Sequence, residues 1–142
     1  MEINFYAEGI DYHIHKEDKI KSWIAKTVKA EAPTKKIEVI NIIFTSDEYL
    51  LKLNQEYLQN DYYTDIITFD YNEDKNLSGD LFISVDRVGE NSKIYAKTFF
   101  NELHRVIIHG ILHLLGYEDK TPELESKMRK KEDEYLAKIL KE

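Results

Sequence analysis

The sequence predicts an α+β sandwich: a small mixed sheet of four strands packed with several helices. Two observations point there. Segments rich in isoleucine, valine and aromatic residues alternate with helix-periodic segments early in the chain, and helical periodicity dominates the rest. No repeat, low-complexity tract or Pro/Gly/Ser-rich linker divides the 142 residues, so residues 1–142 read as one domain around one core.

The elements follow in order. INFYAE, residues 3–8, is rich in β-formers and reads as the first strand. Residues 16–32 carry Ile20, Trp23, Ile24, Thr27 and Val28 at helical spacing, and Pro33 stops that helix. KIEVINIIFT, residues 36–45, becomes continuously apolar towards its end, as does a strand covered on both faces. The next helix opens at Thr45 or Ser46, with Glu48 at the capping-box distance from Thr45. TDIITFDY (64–71) and GDLFISV (79–85) are short strands separated by a turn-rich NEDKNLSG, which suits a hairpin. Helical periodicity then runs from about Asp86 to Leu115, with a break expected at Gly89 or within KIYAKT. A last helix spans Pro122 to Leu140.

Composition narrows the function classes. With 33 % charged and 42 % hydrophobic residues, the balance is that of a soluble domain. No apolar run is long enough to span a membrane, and the N-terminus has neither the basic start nor the apolar core of a signal peptide. A cytoplasmic location is expected. The absence of cysteine excludes disulfides and thiolate metal sites. A net charge of −7 argues against a non-specific nucleic-acid binder, which concentrates cations on one face. Lys127, Lys130 and Lys131 are interleaved with Glu125, Glu132, Asp133 and Glu134, and this reads as a solvated helix face of mixed sign.

The chemistry concentrates in NELHRVIIHGILHLL, residues 101–115. On a helical wheel His113 lies about 40° from His109 on one side, Arg105 about 40° on the other and Glu102 about 20° away. Nearly all the remaining circumference is hydrocarbon, with His104 alone opposite, so this is a buried helix whose one polar stripe needs partners. A metal ion satisfies two imidazoles at once. Gly110, inside the helix, costs about 1 kcal/mol relative to alanine and calls for the close approach of a neighbouring backbone. Gly116 stands where a left-handed cap ends the helix and swings Glu118 and Asp119 back towards the histidines.

His109, His113, Gly116 and Asp119 keep the intervals of the metzincin zinc motif H-E-x-x-H-x-x-G-x-x-H, with aspartate as third ligand. Asp119 is preferred to Glu118 on spacing. Three protein ligands leave a position for water, as in catalytic zinc sites. The peptidase general-base glutamate is replaced by Gly110, which disfavours a minimal metallopeptidase. Glu102 and Arg105 have two readings each: an intrahelical ion pair, or a partner for a ligand histidine and a phosphate-binding cation.

HGILHLLGYED resembles the zinc signature of the YbeY family of bacterial ribosomal-RNA maturation factors, H-G-x-L-H-L-x-G-Y-D-H. LNQEYLQNDYYTDIITFDY is similar to the family stretch L-N-x-x-Y-R-x-x-D-x-P-T-D-V-L-S-F, and GDLFIS to G-D-I-x-I-S. The three blocks fall in family order between about residue 51 and residue 119. The resemblance places the ligands of one Zn²⁺ on His109, His113 and Asp119, the last in place of the usual histidine. That exchange lowers the site's charge and admits harder ions such as Mn²⁺. The family's important arginine falls on Leu58, which cannot bind phosphate. Either Arg87 or Arg105 takes over, or nuclease activity is weak or absent. The resemblance further implies a cytoplasmic, single-strand-selective endoribonuclease of ribosomal-RNA maturation and quality control. Its implied partners are the small ribosomal subunit and the GTPase Era. The competing expectation is a non-catalytic ribosome-assembly factor with a structural metal site.

Three further groups draw notice. His13 and His15 alternate like strand neighbours on one face, and without a third ligand they read as solvated. The tyrosines of residues 57–71 suit strand positions and the core rim, while Tyr62 and Tyr63, in a polar stretch, are the best candidates for stacking on RNA bases. Asp65 reads as a turn residue, with a supporting role beside the metal as its alternative.

Overall fold

The computed structural model describes residues 1–140. Strands β1 (Glu2–Ala7), β2 (Lys36–Thr45), β3 (Ile66–Asp70) and β4 (Asn76–Ser84) and helices α1 (Glu17–Glu31), α2 (Asp47–Tyr57), α3 (Val85–Ile94), α4 (Phe99–Leu114) and α5 (Pro122–Leu140) follow in the order β1-α1-β2-α2-β3-β4-α3-α4-α5. The sheet order is β1-β2-β4-β3. The first two pairings are parallel, and β3 runs antiparallel to β4, from Ile66 opposite Ile83 to Asp70 opposite Gly79. This is the expected α+β sandwich with a mixed sheet.

Strand alternation sorts the layers. Ile40, Ile42 and Phe44 of β2 and Leu77, Leu81 and Ile83 of β4 join Ile20, Trp23 and Ile24 of α1, the apolar side of α4, and Met128, Tyr135 and Ile139 of α5 in one buried cluster. The opposite face carries an aromatic row: Tyr49 of α2 stacks on Phe82 at 6.3 Å, Phe82 meets Phe69 edge-on at 5.7 Å, and Phe69 meets Tyr57 at 5.9 Å. Helix α2 therefore covers that face. β2, central and covered on both sides at its end, is the continuous apolar run the sequence displays.

The structure corrects two local expectations and decides a third between its alternatives. Ser46 alone caps α2, accepting from the Tyr49 N–H at 3.1 Å. Thr45 belongs to β2 and donates to the Ile83 carbonyl, while Glu48 accepts from Tyr63, so the Thr45–Glu48 capping box does not form. The helical stretch breaks within KIYAKT, the second of the two expected places, at Tyr95–Thr98, where Ala96 takes a φ of +54°; Gly89 is an ordinary residue within α3. β4 starts at Asn76, earlier than expected, because Glu73 and Asn76 pair across a tight turn.

Candidate metal centre

Helix α4 is buried because it fills the inner face of the sheet, and one narrow stripe escapes the hydrocarbon. Gly110 is the point of closest approach. A Cβ there would lie 2.6 Å from Leu81 Cδ2 and 2.8 Å from Ile66 Cδ1. The helix is pressed against sheet side chains rather than the neighbouring backbone expected from the sequence. Any side chain at this position, the metzincin general base included, requires Leu81 and Ile66 to move aside.

The helix ends as its sequence dictates. Gly116 takes a φ of +103°. Its N–H bonds the His113 carbonyl and the Tyr117 N–H bonds the Leu112 carbonyl, both at 3.0 Å. This paired pattern is the Schellman termination. The reversal carries Asp119 back over the histidines: Asp119 Oδ2 lies 3.3 Å from His109 Nε2 and 3.7 Å from His113 Nε2. One ligand atom from each of the three residues falls within 4.8 Å of the other two. Glu118 is exposed and stays outside this cluster.

A carboxylate on α5 prepares the site. Glu132 Oε2 accepts from His109 Nδ1 at 2.6 Å, which leaves Nε2 with its lone pair towards Asp119 and His113. Glu132 Oε1 accepts from Arg105 at 2.8 Å, and Asp133 takes the other guanidinium nitrogen at 2.6 Å. The Glu102–Arg105 ion pair weighed from the sequence is absent, because α5 presents two better-placed carboxylates. The histidine's orienting partner is Glu132, not Glu102. Burial alone would lower the His109 pKa, but the bond to Glu132 and its charge raise it. Burial and the neighbouring His109 charge lower that of His113. Two imidazoles and a carboxylate, one imidazole already oriented through its far nitrogen, fit zinc's preferred donors.

His109 and Asp119 open on a cleft of about 380 Å³ whose lining also includes Asp65, Glu102, Arg105 and Glu132. Asp65, read from the sequence as a turn residue, lies beside His109 in this cleft. Burial pushes its carboxyl pKa up, with the His109 charge opposing. Arg87 lies outside the cleft's lining; it pairs with Asp47 at 2.8 Å and covers the Tyr63 ring at 5.3 Å. Leu58 is exposed at the C-cap of α2. His13 and His15 occupy the loop after β1, since Gly9 at a φ of +74° has already turned the chain, so they are not strand neighbours. Tyr62 and Tyr63 are exposed in the loop before β3, with the Tyr63 hydroxyl on Glu48.

Sequence reasoning missed two residues that hold the centre. By its charged neighbours Glu132 reads as part of a solvated face, yet it lies in the buried row Met128, Glu132, Tyr135, Leu136, Ile139 of α5. A lone acid in an apolar stripe of spacing four and three was the available signal. Glu31, at the end of α1, accepts from Tyr117 at 2.6 Å, from Lys131 at 3.1 Å and from Tyr135, and so ties the turn that carries Asp119 to two helices. Nothing in the local sequence around Glu31 marks that role.

The model of the family described as Endoribonuclease YbeY matches residues 3–140. The chain belongs to the YbeY family. It is 48 % identical over 134 residues to the Endoribonuclease YbeY of Karelsulcia muelleri, covering 94 % of this chain and 93 % of that one. With the Parabacteroides distasonis protein of the same name, identity is 50 % over 137 residues, covering 96 % and 95 %. The solution structure of TM1509 from Thermotoga maritima superposes with a TM-score of 0.67 at 28 % identity, covering 96 % of this chain and 88 % of that one.

Proposed function

We propose that this YbeY-family chain is a zinc-dependent endoribonuclease that hydrolyses phosphodiesters of single-stranded RNA in ribosomal-RNA maturation. The carrying observation is the cluster of His109, His113 and Asp119, of which His109 and Asp119 line a cleft, with His109 held through Nδ1 by Glu132. A zinc ion at these residues supplies an activated water and polarises the scissile phosphate. The protein does the positioning: Glu132 fixes the His109 ring, Glu31 fixes the turn bearing Asp119, and Gly110 lets α4 seat against β4. Arg105 reaches the same cleft and, with five N–H donors, keeps some beyond its two carboxylates to meet a phosphate. It is the better placed of the two candidate arginines. A cytoplasmic site of action, with the small ribosomal subunit and the GTPase Era as partners, belongs to the same proposal.

The test is cleavage of single-stranded RNA by purified protein, wild type beside His109→Ala, with zinc measured by elemental analysis. One zinc per chain, cleavage to 5′-phosphate ends, and loss of both in the variant are expected. Cleavage that survives in a folded His109→Ala protein overturns the proposal, and 2′,3′-cyclic phosphate ends overturn water as the nucleophile. Leu58, in the place of the family's arginine, favours a second reading, a ribosome-assembly factor whose metal is structural. A zinc-replete wild-type protein that binds RNA without cutting it decides for that reading.

A further inference from the structure

Helices α1 and α5 leave between them a groove of about 470 Å³ that shares no lining residue with the metal cleft. Its floor is Trp23, Thr27 and Tyr135, each at most 5 % exposed. Their polar atoms are already spent. The Trp23 indole N–H donates to the Tyr135 carbonyl and Thr27 Oγ1 to the Trp23 carbonyl, both at 2.9 Å, and the Tyr135 hydroxyl is bonded to Glu31. The floor thus offers ring and hydrocarbon surface but no hydrogen bond. The rim is cationic: Lys19 and Lys26 of α1 and Lys138 of α5 stand around it, and among the described residues no carboxylate lines it. None of the three ammoniums forms an ion pair among the described residues. That of Lys138 lies 4.8 Å above the Tyr135 ring. Lys131, two turns earlier on α5, pairs with Glu31 and Glu134. In a chain of net charge −7, three lysines without a counter-charge around one apolar floor are a local reversal of sign.

We propose that this groove docks an acidic amphipathic helix of a partner protein, its apolar side chains on Trp23 and Tyr135 and its carboxylates on Lys19, Lys26 and Lys138. Lys19 and Lys26 are seven residues apart on α1, so they share a face and stand about 10 Å apart along the axis. Acids two turns apart on a partner helix match that interval. The lysine stems extend the apolar walls while their ammoniums reach solvent. The spent floor selects the partner's backbone. An extended peptide, or the edge of a nucleic-acid base, would set donors and acceptors against groups that cannot answer them. A helix satisfies its backbone internally and lays an apolar face in the groove. Charge at the rim then sets sign and register, and apolar contact at the centre supplies the affinity. Because groove and metal cleft have no lining residue in common, the docking does not rest on the nuclease reading.

Trp23 is the chain's single tryptophan, so its emission reports from the floor of the groove. The experiment titrates a helical peptide, with leucines at heptad spacing between glutamates, into the full-length protein. The same peptide with lysine for every glutamate and a single-stranded oligouridylate are titrated beside it. The acidic peptide should shift the Trp23 emission saturably and move the Trp23 indole N–H resonance, with affinity falling as salt is raised. Those signatures need no variant. Lys26→Glu combined with Lys138→Glu should weaken the binding on the order of tenfold or more, and Lys93→Glu, in the last turn of α3, should leave it unchanged. An acidic peptide that leaves Trp23 unmoved, or that binds the double variant as well as wild type, overturns the proposal. So does an oligouridylate or a basic peptide that takes the groove in its place. Self-association of the protein that the double variant abolishes also overturns it, and assigns the groove to a second copy of the chain.

Discussion

Glu102 and Glu132 are two glutamates of one cleft, on adjoining helices, each 5 % exposed. Glu132 is saturated: one oxygen takes His109 and the other takes Arg105. Glu102 has no partner among the described residues. Equal burial thus accompanies opposite roles. The satisfied carboxylate is part of the scaffold and sets the orientation of the His109 ring; the other carries no hydrogen bond among the described residues and is met only by the charges of Arg105 and Arg129 across the cleft.

Removing the satisfied group should hurt most. Glu132→Ala frees the His109 ring and strands the Arg105 guanidinium. Stability should drop by about 3–5 kcal/mol, and zinc affinity should weaken on the order of 10–100-fold. Denaturant unfolding and a competing chelator read the two effects; unchanged zinc affinity would break the contrast with Glu102. Arg105→Ala should cost less, about 2 kcal/mol, because Glu132 keeps its bond to His109. A raised KM for RNA in that variant, with zinc retained, assigns the guanidinium a phosphate as well.

Glu102→Gln should change stability in the other direction. Its folded pKa is raised by burial and by Asp65, so the ionised group costs stability once pH has risen past the ordinary carboxyl range and costs nothing below it. In metal-free protein the variant should gain about 1 kcal/mol near neutrality and nothing in acid. Melting temperatures across pH measure this, and a variant that melts lower at neutral pH shows that Glu102 was satisfied after all.

The smallest effect belongs to Glu31. Burial pushes its pKa up, but Tyr117, Tyr135 and Lys131 outweigh this and hold it below its ordinary value of 4.5. The stabilisation is present above that value and is lost as pH falls through the lowered folded pKa. Glu31→Gln should flatten that acid limb of the stability curve, and an unaltered slope would remove Glu31 from the clamp on the Asp119 turn.

Much of the centre was legible because it is local. His109 and His113 share a helix face by spacing, Gly116 ends the helix by its conformational freedom, and Asp119 follows at the interval the turn requires. The sheet was legible for the same reason, since alternation and turn residues are nearest-neighbour properties. Glu132 was half legible, as an acid in the apolar stripe of α5. Arg105 and Glu102 were not, because an ion pair within one helix was a sound local expectation until α5 supplied stronger acceptors. Arg87 is turned to Asp47 by the way α2 and α3 start side by side, which no local pattern shows.

The sequence by itself determined the elements, the buried helix α4, its glycine stop and the three ligand candidates, because each depends on spacing along one short stretch of backbone. The tertiary structure alone decided which carboxylates are satisfied. Glu132 and Glu31 meet partners 23 to 104 residues away, and Glu102 has no hydrogen-bond partner among the described residues. Charge pairing in a buried cleft is settled by which helix faces arrive there, and that arrangement follows from packing against the sheet.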